Sequence, residues 1–136
     1  MLALSIRQPW AHAIFHLGKD VENRSWKTKY RGPFLIHAGK MLDTSFYYHI
    51  GGLFPRDMDT DGMEFGAILG MAHIDDVVEQ SDSKWFFGKY GYKLSHIERF
   101  ERPVKCKGKQ GFFKLNEEVA AAVDFQIEQI VRKMDL

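Results

Sequence analysis

The sequence predicts an α+β domain, a small mixed β-barrel with flanking helices and a C-terminal helix. Three observations carry that expectation. Short β-like apolar runs recur between turn residues, and helical periodicity is clear near the start and at the end. The 136 residues are also enough for one hydrophobic core without disulfide staples. One domain is expected over 1–136, with its core over about 2–115 and a helix over about 117–134. No repeat, low-complexity stretch or second domain is legible.

The elements follow in order. Residues 2–6 form a short apolar run, read as a strand. Gln8-Pro9-Trp10 opens a helix, since proline is tolerated in a first turn, and Gly18 stops it. Trp10, Ile14 and Leu17 supply that helix's apolar stripe. Residues 21–26 alternate as a strand, with Glu22, Arg24 and Trp26 on one face and Val21, Asn23 and Ser25 on the other. Both faces carry polar groups, so the strand belongs at an edge or a mouth. Residues 34–38 read as a buried strand ending at Gly39, and 42–50 as a short helix. The cluster of Gly, Pro and Asp over 51–63 is a loop.

Residues 65–78 are the longest β-like run, with Gly66 and Gly70 marking bulges or a close backbone approach. Residues 81–92 form an aromatic loop region. Strands are expected over 92–101 and 104–107, split by Pro103, and again over 111–115. In the last helix Asn116 is the cap, Glu117 and Glu118 suit the positive first turn, and Arg132 and Lys133 suit the last. Val119, Val123, Ile127, Ile130 and Met134 form the stripe that packs on the sheet.

The composition excludes several classes. Nothing reaches membrane length, the first residues lack the pattern of a signal peptide, and one cysteine, Cys106, forms no internal disulfide. A cytoplasmic, soluble protein with no membrane association is expected. The net charge is only +1, but its distribution is uneven. Cations dominate 7–40 and 99–114, whereas acids dominate 43–79. Two basic sections meeting on one face would build a local positive field; scattered surface charge is the alternative.

Several constellations bear on chemistry. Lys19, Glu22 and Arg24 lie just before Trp26. An arginine fork grips phosphate or a base edge, a tryptophan ring stacks, and Glu22 either accepts from a base amino group or holds Arg24 in place. An ion-paired exposed strand is the plainer reading. Lys105, Lys107 and Lys109 alternate, so on a strand they share one side, fit to track a phosphate backbone or simply to guard an edge against aggregation. Asp57, Asp59 and Asp61 imitate a calcium loop, but Glu64 and Ile68 fall where that pattern needs an apolar residue and a glutamate. The six histidines show no metal spacing beyond His12 and His16, so neither metal nor cofactor is expected. His37 ends a buried strand just before Gly39 and Lys40, as a site residue or a satisfied core histidine. No nucleophile motif is present.

The runs Leu4-Ser-Ile-Arg-Gln-Pro-Trp-Ala, Gly18-Lys19-x-x-Glu22-x-Arg24-x-Trp26, Tyr30-Arg31-Gly32 and Ile36-His37-Ala38 strongly resemble the ASCH domain family, the activating-signal-cointegrator homology domains of the PUA-like superfamily. Pro103-Val104 through Gly111-Phe112 resembles that family's C-terminal strand pair, so the likeness spans about 2–115. It implies a PUA-like barrel with a cleft beside the first helix, lined by residues 18–24 and near Arg7, Gln8, Pro9 and Trp10. It also implies binding of RNA or another nucleic acid, although one fold hosts several functions.

The expectation is therefore a module that takes single-stranded or looped RNA, or a nucleotide-like small molecule, in a basic cleft. Arg7, Trp10, Lys19, Glu22, Arg24, Trp26, His37 and Lys40 would be its ligand residues, and Lys105, Lys107 and Lys109 its backbone contacts. The alternative is a hydrolase acting on a modified nucleoside or on RNA. Small bacterial members that cleave the acetyl amide of N4-acetylcytidine carry a Lys, a Thr three residues later and a further Glu. Here Lys19 matches and Glu22 stands at the Thr position, so Glu22 would have to activate water while Lys19 stabilises an oxyanion. A protein partner would need an apolar patch, for which Trp85-Phe86-Phe87 is the candidate.

Overall fold

Strand β3 (Gly32–Leu42) organises the molecule because it is apolar on both faces. Phe34, Leu35, Ile36, His37 and Ala38 are all buried in succession. Burial on both sides requires cover on both sides, and the chain supplies it from its two ends. The computed structural model describes residues 1–45, 52–55 and 58–135.

On one edge of β3 lies β1 (Ala3–Gln8), parallel to it, with Ala3 opposite Leu35 and Ile6 opposite Ala38. On the other lies β4 (Ala67–Val78), antiparallel. Beyond β4 come β5 (Tyr90–Lys105) and then β2 (Val21–Arg24) as an edge strand. Beyond β1 comes the short β6 (Phe112–Phe113). The order β2-β5-β4-β3-β1-β6 is one mixed six-stranded sheet.

Among the described residues no ladder joins β2 to β6, so the sheet is open and the expected closed barrel is corrected. The reason is length. The strand read over 21–26 pairs for four residues, and the one read over 111–115 for two. Side chains span the gap instead. Arg24 donates to the Ser5 carbonyl at 2.6 Å, and the Trp26 ring meets Phe112 at 5.8 Å.

Helix α1 (Trp10–His16) covers one face of the sheet. Ala11 and Ile14 enter the cluster of Leu4, Ile6, Phe34, Ile36, Ile74 and Tyr92, and Phe15 packs against it. Gly70 permits that approach: a Cβ there would lie 2.8 Å from the Phe15 ring and 2.2 Å from the Glu98 carbonyl oxygen. Helix α2 (Glu117–Met134) covers the other face, where Val123 is buried with Leu35, Ile68, Phe100 and Phe113. Asn116 caps it by accepting from the Val119 amide at 2.8 Å. Of the expected stripe, Val119, Ile127 and Ile130 pack on this cluster, whereas Met134 is exposed.

Other boundaries move for local reasons. Pro103 does not split a strand: β5 runs through it. Leu69 sits where β4 steps past residues 100–103 of β5, an irregularity that asks no ladder bond of the proline. The Arg102 amide of that step donates to the buried Gln126 of α2 at 3.0 Å. The helix read over 42–50 is not seen in its described part. Leu42 ends β3, Asp43 accepts from the Ser45 amide and hydroxyl, and residues 46–50 lie outside the described residues. Asp57 of the acidic loop also lies outside them; Asp59 accepts from the Asp61 and Gly62 amides.

Candidate nucleotide-binding cleft

The open seam of the sheet holds a cavity of about 590 Å³ between β2, the end of β1 and the segment before β6. Its construction starts at Gly18. With φ at +77°, this glycine ends α1 in the left-handed conformation, and the Lys19 amide bonds back to the Ala13 carbonyl at 3.1 Å. That turn carries Lys19 directly into the protein, where it is 1% exposed.

Lys19 is not a free cation. Its Nζ donates to the Val21 carbonyl and, at 2.9 Å, to Glu22 Oε1. Glu22 Oε2 accepts from Arg24 Nε at 3.0 Å and is paired with Nη2 at 2.9 Å. Burial alone would push the Glu22 carboxyl up. The adjacent Lys19 and Arg24 charges and their hydrogen bonds outweigh it and hold the pKa below its ordinary value. Glu22 is therefore an anion clamped between two cations, and the three groups together carry +1.

β2 and the residues just past it run along the cavity wall, so that Glu22, Asn23, Arg24, Ser25 and Trp26 all line it. Trp26 meets Tyr92 edge-on at 5.6 Å, and Tyr92 donates to the Trp26 carbonyl at 2.9 Å. Burial raises the Tyr92 pKa to about 12, so its hydroxyl remains a donor. Trp10 enters from α1, with Nε1 on Asp43 Oδ2 at 2.9 Å. Burial pushes the Asp43 carboxyl up, but the Ser45 and Trp10 hydrogen bonds and the Arg7 charge bring it below its ordinary value.

Of the residues singled out from sequence, Arg7, Trp10, Lys19, Glu22, Arg24, Trp26, Lys40 and Lys109 line the cavity. His37 does not. It is buried between Ser5 Oγ, 2.6 Å from Nδ1, and the Cys106 carbonyl, 2.7 Å from Nε2. A carbonyl only accepts, so Nε2 carries the proton and Nδ1 accepts from Ser5. Burial lowers the His37 pKa, partly countered by the Cys106 carbonyl. Its place is the core, where it pins the segment 106–108. Gly108 fits there because a Cβ would lie 2.3 Å from Ser5 Oγ and 2.7 Å from the His37 ring.

Lys105 and Lys107 are exposed and away from the cavity. β5 ends at Lys105, so the strand alternation that would align the three lysines stops there. The two basic sections thus meet at the cavity through Lys109 alone; Arg99, Arg102 and Lys114 lie elsewhere. Trp85 is buried beside Ala13 and Phe54, and Phe87 lines the cavity, so the aromatic run is core and cavity wall.

Sequence reasoning missed Asn23, Ser5 and Asp43. Asn23 donates to the Trp85 carbonyl and accepts from the Phe87 amide, both at 2.9 Å, and so holds the aromatic loop against the cavity. An asparagine inside a strand was the available signal. Ser5 contributes a main-chain carbonyl, which no side-chain pattern announces.

Among the described residues no group of three His, Cys, Asp or Glu side chains is placed to hold a metal ion, and no helix is long and apolar enough to cross a membrane. The model of the ASCH domain family matches residues 4–129. No curated protein matches the chain. Its fold is similar to crystal structures of ASCH from Zymomonas mobilis. One, of a point mutant, gives a TM-score of 0.52 at 13% identity, covering 90% of this chain and 95% of that one. Another, of ASCH from the same organism, gives 0.51 at 15% identity, covering 88% of this chain and 90% of that one.

Proposed function

Because this chain belongs to the ASCH domain family, a family associated with RNA binding, we propose that it is a nucleic-acid-binding module whose seam cavity takes RNA or a nucleotide-like ligand. The observation that carries this reading is the convergence on one cavity, among the described residues, of five cations, two tryptophans and two carboxylates, Glu22 and Asp43. Arg7, Lys40 and Lys109 are exposed at its mouth, and no ion pair within hydrogen-bond distance engages them among the described residues. They are the charges a phosphate would neutralise. Trp10 and Trp26 offer faces on which an unpaired base stacks, which suits single-stranded or looped RNA better than a duplex.

Hydrolysis is served less well. Lys19 and Glu22 are within reach of each other, but a carboxylate stabilised by two cations is a weak base and is not a proton donor near neutrality.

The test is fluorescence anisotropy of a labelled single-stranded RNA and its DNA counterpart across a salt series. Three phosphate contacts predict a slope of about −2 in log K against log salt. Lys40→Ala/Lys109→Ala, both exposed, should flatten that slope to about −0.7 without unfolding the protein. Absence of binding by the parent protein at low salt would sink the reading.

A further inference from the structure

The polar groups left over at the cavity floor describe a ligand more narrowly than charge does. Lys19 has three ammonium N–H groups; two go to Val21 and Glu22, and one is left. Arg24 has five; Nε serves Glu22, Nη2 serves Ser5 and is ion-paired with Glu22 Oε2, and the two on Nη1 are left. The Glu22 carboxylate offers about four acceptor positions and takes one hydrogen bond on each oxygen, from Lys19 on Oε1 and from Arg24 Nε on Oε2. What remains includes an acceptor position on Oε1, one N–H of Lys19 and the two N–H groups of Arg24 Nη1. The order matters as well as the count: the carboxylate lies between Lys19 on one oxygen and Arg24 on the other, so the floor runs donor, acceptor, donor.

We infer that this cavity selects a planar ring with an imide edge, C=O–NH–C=O, as uracil and thymine carry, with Glu22 as the specificity-determining residue and the nucleotide phosphate outward among Arg7, Lys40 and Lys109. The inference rests on the nucleotide-binding reading above. An imide edge runs acceptor, donor, acceptor, the complement of the floor. Cytosine runs donor, acceptor, acceptor, and guanine acceptor, donor, donor; each leaves a polar group facing one of its own kind. Adenine lacks a ring N–H on that edge. Because Glu22 is held ionised, it accepts from the imide N–H and donates nothing. A site that buries unmatched polar groups rejects such a ligand more strongly than a merely smaller contact would. The cavity volume is within the range of roughly 300–1,000 Å³ typical of small-ligand pockets.

Trp10 and Trp26 line the cavity, so intrinsic fluorescence reports occupancy. Titration should be run with UMP, TMP, CMP, GMP, AMP, uridine, 3-methyl-UMP, and the oligomers U8 and C8. The expected result is UMP and TMP binding at least about tenfold more tightly than the other bases, the loss that one buried hydrogen bond produces. 3-Methyl-UMP, which lacks the N–H that Glu22 would accept, should lose about tenfold on the unaltered protein. Uridine should bind more weakly than UMP, and Lys40→Ala/Lys109→Ala should narrow that difference. U8 binding much tighter than UMP assigns the imide to a strand; equal binding assigns it to the free nucleotide. Equal binding of UMP, CMP and 3-methyl-UMP would overturn the inference while leaving nucleotide binding intact. Binding of no nucleotide and no oligomer would overturn both.

Discussion

The two sides of this sheet are held by different physics. On the α2 side, Val123, Leu35, Ile68, Phe100 and Phe113 exclude water from one another, and packing is non-directional. At the seam, β2 has a backbone partner on one edge only, and its other side is tied across the gap by Lys19, Glu22, Arg24 and the Ser5 carbonyl. Packing tolerates substitution by similar volumes; a charge cluster does not tolerate the loss of one member. A binding site needs fixed directions, and an apolar wall cannot provide them. Placing the cavity in the seam uses a place in the sheet where polar groups are obliged to find side-chain partners.

Breaking the seam should have the largest effect. Lys19→Met keeps the length of the side chain but leaves Glu22 with Arg24 as its only cation. A cost of about 3 kcal/mol is expected, or a fall of roughly 10 °C in melting temperature. Removing both ends, Lys19→Met with Glu22→Gln, should restore part of that loss, because the buried carboxylate is gone. Calorimetry on the single and double variants checks this, and a double variant worse than the sum of its parts would mean that the cluster is not a charge-balanced unit.

Next comes the apolar side. Val123→Ala removes two buried methyl groups and should cost about 2 kcal/mol by urea unfolding. Affinity for any cavity ligand should be unchanged, since α2 does not line the cavity. If Val123→Ala weakened ligand binding as much as Lys19→Met, the two sides would not be independent.

The same division explains what was legible in advance. Helix ends announce themselves locally: Pro9 and Gly18 bound α1, and Asn116 opens α2. Strand alternation grouped Glu22, Arg24 and Trp26 in advance, and all three line the cavity, but Asn23 and Ser25 of the other expected face line it as well, because β2 ends at Arg24. Closure of the sheet was not readable, because it depends on whether two edge strands from distant segments are long enough to pair. Pro103 was misread for a related reason: a bulge in β5 removes the hydrogen bond that proline cannot make, and the bulge is set by β4. The lysine stripe failed once β5 ended at Lys105, and His37 was drawn inward by a carbonyl 69 residues away in the chain. Local chemistry survives translation into three dimensions; pairing partners have to be seen.

A smaller effect is expected at the α2 cap. Asn116→Ala deletes the oxygen that accepts from Val119 and should cost about 1 kcal/mol, while Asn116→Asp keeps an acceptor and should cost little. Equal losses in both variants would assign the effect to the amide group of Asn116.

The smallest effect tests whether the two sides also differ in their response to pH. His37 has its folded pKa below the ordinary value of 6.5, so the unfolded chain takes up a proton at a pH where the folded chain does not. Stability from this group is therefore complete above about pH 6.5 and declines as the pH falls below it toward the folded pKa. His12 and His16 on α1 are also lowered, by burial and then by His16 and Arg99 respectively, and act with the same sign. Glu22 contributes only lower down, because its depressed pKa leaves its stabilisation intact until the pH falls below about 4.5. Between about pH 7 and about pH 5.5 stability should fall, and the loss should arise at β1, β3 and α1, none of it at the seam cluster. His37→Gln, whose amide can donate to Cys106 and accept from Ser5, should reduce the slope of melting temperature against pH in that interval. A slope left unchanged by His37→Gln and abolished by His12→Gln/His16→Gln would move the titration to the helix surface.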